Sequence, residues 1–276
     1  CAPRRLHRAA GARPRSYRAN RHPARLRRPE TAPTKRLDNL LVDRGLAETR
    51  TRAQALIRAG TVFSNDKRLD KPGTSIAEDA DVEVRGKPHP WVSRGGVKLA
   101  YGLDQFDLDP NGRVCLDVGA STGGFTDVLL KRGAARVYAV DVGRGQLDWR
   151  LRQDGRVVVL EGFNARYLTS EHVPEAIGFV VCDASFIGLQ IVLPAALALA
   201  APGAILVALI KPQFEIGRGR VGKGGVVTDP AHHAEVRDGI SGWLGALADW
   251  RVIGHAESPI QGPKGNREFL IAAEHA

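Results

Sequence analysis

Short, dense apolar runs recur along the last two-thirds of the chain: RVCLDVG (113–119), RVYAVDVG (136–143), VVVLEG (157–162), FVVCD (179–183) and AILVALI (204–210). Helix-like stretches separate them. Strands that are apolar on both faces and alternate with helices predict a parallel sheet covered on both sides. Two more strand candidates, WRVIGHAES (250–258) and REFLIAA (267–273), are joined only by the loop PIQGPKGN, so they are expected to pair antiparallel. The expected fold class is therefore α/β, a Rossmann-like sheet with an antiparallel edge hairpin.

Residues 35–88 follow a different pattern and are read as a small α+β domain. RLDNLLVDRGL is amphipathic, with Leu37, Leu40 and Leu41 on one face and Gly45 as a stop signal. Thr49 is placed to cap a second helix, TRTRAQALIRAG, whose apolar stripe is Ala53, Leu56 and Ile57 and whose end is Gly60. TVFSNDKRLDKPG and DADVEV supply short strands. GKPHPWV (86–92), with two prolines, reads as the linker to a second domain spanning residues 89–276.

Residues 184–210 hold no charge over a length that exceeds the roughly 20 residues of a membrane-spanning helix. Pro202-Gly203 divides the run, however. A buried helix, a tight turn and a buried parallel strand explain it better than a membrane span.

Charge is concentrated in one place. The chain carries +10, but residues 1–34 alone hold ten Arg against Glu30, and the rest has thirty basic against twenty-nine acidic residues. Residues 1–34 have few aliphatic positions and are expected to be a disordered basic tail. Three readings of the tail stay open: a basic arm on RNA, a transit peptide, or translated sequence upstream of the working protein, since the chain begins at Cys1 and contains no methionine. The three scattered cysteines fit a reducing cytoplasm and no metal site. Arg36, Arg50, Arg52, Arg58, Lys67 and Arg68 of the small domain can line one surface and meet phosphates, or form an ordinary solvated face.

LDVGASTGGFTDVLL (116–130) has the form of a strand, a glycine-rich turn and a helix start. Positions 119–124 read G-A-S-T-G-G, which is not the dinucleotide fingerprint. Gly119 permits a tight turn, and Gly123 and Gly124 let the backbone approach a ligand. Asp117 at a strand end suits a cationic amine, and Asp141, 24 residues on at the end of the next strand, suits two ribose hydroxyls. An amine, a ribose and no pyrophosphate describe S-adenosylmethionine, which makes the sheet the class I methyltransferase version. Ser121, Asn164 and Asp183 complete the candidate cofactor set.

Ligands of open parallel sheets sit at the carboxyl ends of the strands. Lys211 ends AILVALI and Asp183 ends FVVCD, while Lys98 opens the helix before the first strand and Glu268 begins the last one. These four candidate catalytic residues are expected to share one crevice. A ribose 2′-hydroxyl needs its proton removed as it attacks a methyl group, and a buried lysine beside a second cation can assist. Asp183 and Glu268 would orient the two amines; the competing possibility is a structural ion-pair network. Asp183 is followed by Ala-Ser-Phe rather than Pro-Pro and an aromatic, the motif usual for methylation of base amines. In the glycine-rich stretch FEIGRGRVGKGGVV (214–227), Arg218, Arg220 and Lys223 either close over RNA phosphates or belong to a flexible connection. Phe186 stacks on a displaced base or packs in the core. His232-His233 is read as a surface pair and the tryptophans as packing residues.

The segment with Arg36-Leu37-Asp38, Leu41, Gly45, Arg50, Ala53, Leu56-Ile57, Gly60 and Val62 resembles the RNA-binding domain of ribosomal protein S-four. WVSRGGVKL, LDVGASTGGFTDVLL, DVGRGQLDWRLR, CDASFI, IKPQFEIGRGRVGKGGVV and GPKGNREFL resemble the TlyA (haemolysin A) family of ribosomal RNA 2′-O-methyltransferases, from about Arg36 to the end. The resemblance implies an FtsJ-like catalytic domain whose Lys-Asp-Lys-Glu tetrad falls on Lys98, Asp183, Lys211 and Glu268. It also implies S-adenosylmethionine as cofactor and a cytidine of ribosomal RNA as target. The chain stops eight residues after Glu268, which leans toward large-subunit RNA, with small-subunit RNA as a second target. The expected protein is a cytoplasmic monomer that binds ribosomal subunits and no membrane. Its rivals are a non-catalytic RNA-binding or assembly protein, a membrane-active haemolysin and a pseudouridine synthase; the last lacks a matching aspartate motif here.

Overall fold

The structure, a computed structural model, describes residues 33–47, 49–85, 89–262 and 264–276, without the side chain of Arg218. The Arg-rich stretch 1–32 and positions 86–88 of the expected linker lie outside these residues.

The N-terminal domain consists of β1 (Thr34–Arg36), α1 (Leu37–Asp43), α2 (Arg50–Arg58), β2 (Val62–Ser64), β3 (Lys67–Arg68), β4 (Ser75–Ala77) and β5 (Glu83–Val84). β1 starts inside the stretch read as tail and pairs antiparallel with β4, while β3, β2 and β5 form a second small sheet. The two helices lay Leu37, Leu40, Leu41, Ala53 and Ile57 against Val62 and Val82. Thr49 caps α2 by accepting from the Arg52 N–H, and Gly45 and Gly60 adopt the positive φ that stops each helix.

Asp38, singled out in sequence only as part of the Arg36-Leu37-Asp38 motif, organises this domain through its carboxylate. Its fully buried carboxylate accepts from Arg36 (3.1 and 3.0 Å), Arg50 (3.0 Å), Gln54 (2.9 Å) and the Asn39 N–H (3.1 Å). The Arg36 guanidinium, helped by Gln54 and Arg50, holds the carboxyl far below the usual carboxylate range against the opposing effect of burial. Asp38→Ala removes the buried acceptor that Arg36, Arg50, Gln54 and the Asn39 N–H share and is expected to cost about 1–3 kcal/mol, the two half-exposed arginines turning to solvent, checked by urea unfolding of the variant.

The second domain contains α3 (Gly95–Phe106), β6 (Val114–Val118), α4 (Gly124–Lys131), β7 (Arg136–Asp141), α5 (Trp149–Arg152), β8 (Val157–Glu161), β9 (Ile177–Cys182), α6 (Leu189–Val192), α7 (Pro194–Leu197), β10 (Ala200–Ile210), α8 (Pro212–Glu215), α9 (Pro230–Gly245), β11 (Trp250–Glu257) and β12 (Phe269–His275). Its seven-stranded sheet has the order β11-β12-β10-β9-β6-β7-β8, parallel from β10 to β8. α3, α4 and α5 cover one face; α6, α7 and α9 cover the other, with the turn Ala165–Tyr167.

The antiparallel hairpin lies at the sheet edge as expected, with β12 beside β10 and β11 outermost. Residues 269–273 of β12 are all buried, whereas β11 after Trp250 alternates exposed and half-buried positions, so the more apolar strand takes the inner place. One detail differs from expectation: Pro202-Gly203 lies inside β10, where the register against β9 slips between Ala200 and Ile205 and Gly203 has φ 76°. The uncharged run is thus two one-turn helices and a strand. No helix among the described residues is long and apolar enough to cross a membrane.

Candidate active site

The parallel strands deliver their last residues to one edge. Gly119, after β6, has φ 84°, and a Cβ there would lie 2.9 Å from the Ala184 Cα, so only glycine lets the turn after β6 pass the loop after β9. Gly123 has φ 90° and starts α4, and a Cβ on Gly124 would lie 2.3 Å from the Ser93 hydroxyl. Ser121, at φ 50°, donates its N–H to Asp141 Oδ2 (2.8 Å), while Asp141 Oδ1 accepts from the Gly143 N–H (2.7 Å). The glycine-rich turn is thereby tied to the end of β7. Asn164 Oδ1 caps the following turn, accepting from the Arg166 N–H (3.1 Å) and Nε (3.3 Å).

Asp117 is completely buried. Its Oδ2 accepts from the Thr126 hydroxyl (2.6 Å), but its buried Oδ1 has no hydrogen-bond partner among the described residues. Burial, reinforced by the Asp183 charge, pushes this carboxyl up to about 7 despite the Thr126 hydrogen bond. An orphaned buried carboxylate oxygen is costly unless a donor arrives, and a ligand amine is such a donor.

Beside it, four charged side chains from distant parts of the chain meet. Lys98 lies 2.6 Å from Glu268 Oε2 and 4.0 Å from Asp183 Oδ2; Lys211 lies 2.7 Å from Asp183 Oδ1. Lys211 also donates to the Asp183 carbonyl (3.1 Å) and the Ser185 hydroxyl (2.8 Å). Lys98, Lys211 and Glu268 are each more than nine-tenths buried. Glu268 falls just before β12 rather than within it, and a Cβ on Gly262 would press on its carboxylate. The run thus reads Glu268, Lys98, Asp183, Lys211 in space, alternating in sign, so no charge is left uncompensated.

The rim differs in part from the sequence expectation. Phe186 is 91% exposed and held at φ 68°, touching the Phe214 ring at 5.2 Å, so it is not a core residue. A bulky side chain in that conformation is strained, and such strain gathers at functional sites. His233 is buried, not superficial: its Nε2 bonds the Val227 carbonyl at 2.9 Å. Trp149 is 65% exposed and is no packing residue. Of the candidate RNA contacts, Arg52, Arg58, Lys67 and Lys223 are exposed, Arg220 pairs with Glu235 (2.5 Å), and Arg36 and Arg50 are engaged by Asp38. The Arg218 side chain is outside the described atoms. Sequence reasoning missed Glu161, which ends β8 and accepts from three consecutive backbone N–H groups; its only sequence signal is an acid at a strand end, like Asp141.

Known proteins resemble this chain in sequence and fold. Residues 91–275 match the FtsJ-like methyltransferase family and residues 35–82 match the S4 domain. The chain is 48% identical over 237 residues to the 16S/23S rRNA (cytidine-2′-O)-methyltransferase TlyA of Mycobacterium tuberculosis, covering 86% of this chain and 88% of that one. It is 39% identical over 238 residues to Hemolysin A of Brachyspira hyodysenteriae, covering 85% and 98%. A solved structure of a protein named as a hemolysin from Streptococcus thermophilus superposes with a TM-score of 0.69 at 41% identity, over 89% of this chain and 90% of the other. By sequence, domain order and sheet, the chain belongs to the FtsJ-like methyltransferase family, in the TlyA group that places an S4 domain ahead of the catalytic sheet.

Proposed function

We propose that this protein uses S-adenosylmethionine to methylate the ribose 2′-oxygen of a cytidine in ribosomal RNA. The observation that carries this reading is the buried Glu268–Lys98–Asp183–Lys211 run at the same sheet edge as Asp117, Gly119 and Asp141. The residues present suit the cofactor: the free Oδ1 of Asp117 for its amine, the Asp141 carboxylate for its ribose, and the glycine-rich turn for close approach. The cofactor supplies a methyl group on a sulfonium that needs no activation as a leaving group.

The protein's part is alignment and proton removal. Lys211, held by Asp183 and Ser185, first gives one ammonium proton to solvent, and the amine so formed takes the 2′-hydroxyl proton as that oxygen attacks the methyl carbon. Asp183 holds Lys211 on one oxygen and faces Lys98 with the other, and Glu268 fixes Lys98. Phe186 offers its ring to the flipped base, and Arg218, Arg220 and Lys223 follow the backbone with Arg36, Arg50, Arg52, Arg58 and Lys67 of the S4 domain. The name of the mycobacterial relative gives both 16S and 23S RNA as its substrates, which supports ribosomal RNA as the substrate class.

Phe186→Ala is expected to lower RNA methylation roughly 5- to 100-fold, the worth of one stacked base, with affinity for S-adenosylhomocysteine unchanged. Single-turnover assays and calorimetry separate the two effects. The function itself is tested by incubating the protein and labelled cofactor with each ribosomal subunit from cells lacking it. Label on large-subunit RNA is expected, and label on both would match the dual range of the relative. No label on either rejects the reading and favours a non-catalytic assembly role.

A further inference from the structure

Glu161 lies outside the groups assigned above, yet it closes the loop that leaves β7. Its Oε2 accepts from the Gly145 N–H (2.8 Å), and its Oε1 accepts from the Gln146 N–H (3.1 Å), the Leu147 N–H (3.2 Å) and Arg152 Nη2 (2.7 Å). Burial opposes the charge, but Arg152 and the three N–H groups outweigh it and hold the carboxyl at about 2. From the opposite side, the same loop is bolted to the glycine-rich turn. The Asp148 N–H donates to the Thr122 carbonyl (3.2 Å), the Ser121 hydroxyl meets Gln146 (3.3 Å), and the Leu147 and Leu151 side chains crowd Gly123. Gly162 and Phe163, next to Glu161, donate to the carbonyls of Gly143 (2.8 Å) and Asp141 (3.0 Å). The loop leaves Asp141 pointing its carboxylate at Ser121 and Gly143, with Val142 70% exposed beside it.

We infer that Glu161 is the positioning residue for the ribose and base half of the cofactor pocket: its carboxylate gathers consecutive N–H groups of the 143–147 loop and so fixes Asp141 and Val142. Three converging backbone donors form an anion nest whose anion is supplied internally. A site held by such an outer layer binds a ligand that it does not have to order first. The inference rests on the cofactor reading above and names a residue that need not touch the cofactor.

The test is calorimetric titration of the full chain with S-adenosylhomocysteine, together with hydrogen exchange of residues 143–147. Glu161→Gln is expected to weaken binding about 10- to 100-fold and to expose the Gly145–Leu147 amides, with a similar loss at every pH from 6 to 9. Glu161→Asp restores part of the affinity. Arg152→Met leaves affinity within about twofold, because the three backbone donors remain. Wild-type-like affinity in a folded Glu161→Gln variant, or a loss as large in Arg152→Met, overturns the assignment. Failure of the wild type to bind S-adenosylhomocysteine overturns the cofactor reading along with it.

Discussion

Lys211→Met is expected to lower methyl transfer to RNA by about 10²- to 10⁴-fold, the usual worth of a positioned proton acceptor, while cofactor affinity stays within a few-fold of wild type. Methionine keeps most of the volume of the lysine stem in a site more than nine-tenths buried, so the change removes the amine and little else. It also strips Asp183 of its nearest cation, leaving Lys98 at 4.0 Å, and the fold is expected to lose about 3–5 kcal/mol. The two effects are separable. Adding Asp183→Asn removes the uncompensated charge, so the double variant should regain stability without regaining activity. Recovery of both would mean that Lys211 serves only the ion-pair network.

Asp117→Asn should move stability and cofactor binding in opposite directions. The folded-state carboxyl is raised to about 7 by burial, from an unfolded value of 3.8. Between those values the folded chain keeps a proton that the unfolded chain releases, so this group's contribution to stability falls as pH rises from about 4 to about 7. Asparagine has no such penalty. The cofactor-free variant is expected to be more stable than wild type at pH 8, by up to about 4 kcal/mol, and little changed near pH 4. Affinity for S-adenosylhomocysteine should drop at least about tenfold at pH 8, where the wild-type carboxylate meets the ligand amine charged. In the wild type, binding near pH 6.5 should release a proton, visible as a dependence of the calorimetric heat on buffer ionisation. Thermal melts and titrations at both pH values check the pair of effects.

What the sequence displayed and what it hid divide along one physical line. Strand-terminal residues were legible, because an apolar run ending in Asp141, Asp183 or Lys211 marks both the strand and the edge where ligands sit. The glycine-rich turn was legible for a related reason: Gly119 passes so close to Ala184 that no other residue fits. Contacts made by acids with backbone N–H groups were not legible. Glu161 looks like an ordinary acid at a strand end, and Asp38, though part of a quoted motif, does not show in sequence that Arg50 and Gln54 of the next helix gather on it, since these partners are main-chain atoms or residues on another element. The inner position of β12 depended on comparing two apolar strands whose burial differs only in three dimensions. His233 and Trp149 exchanged their expected places because α9 turns His233 inward onto the Val227 carbonyl, while Trp149 begins a four-residue helix with too little surface to cover it.

The central claim is chemical: the Lys-Asp-Lys-Glu run delivers a methyl group to a ribose oxygen. The direct measurement is mass spectrometry of nucleosides from ribosomal RNA treated with the protein and isotopically labelled S-adenosylmethionine. The account predicts label in 2′-O-methylcytidine, and its loss with Lys211→Met. Label confined to a base-methylated nucleoside, or label in 2′-O-methylcytidine that persists undiminished in that variant, would contradict it.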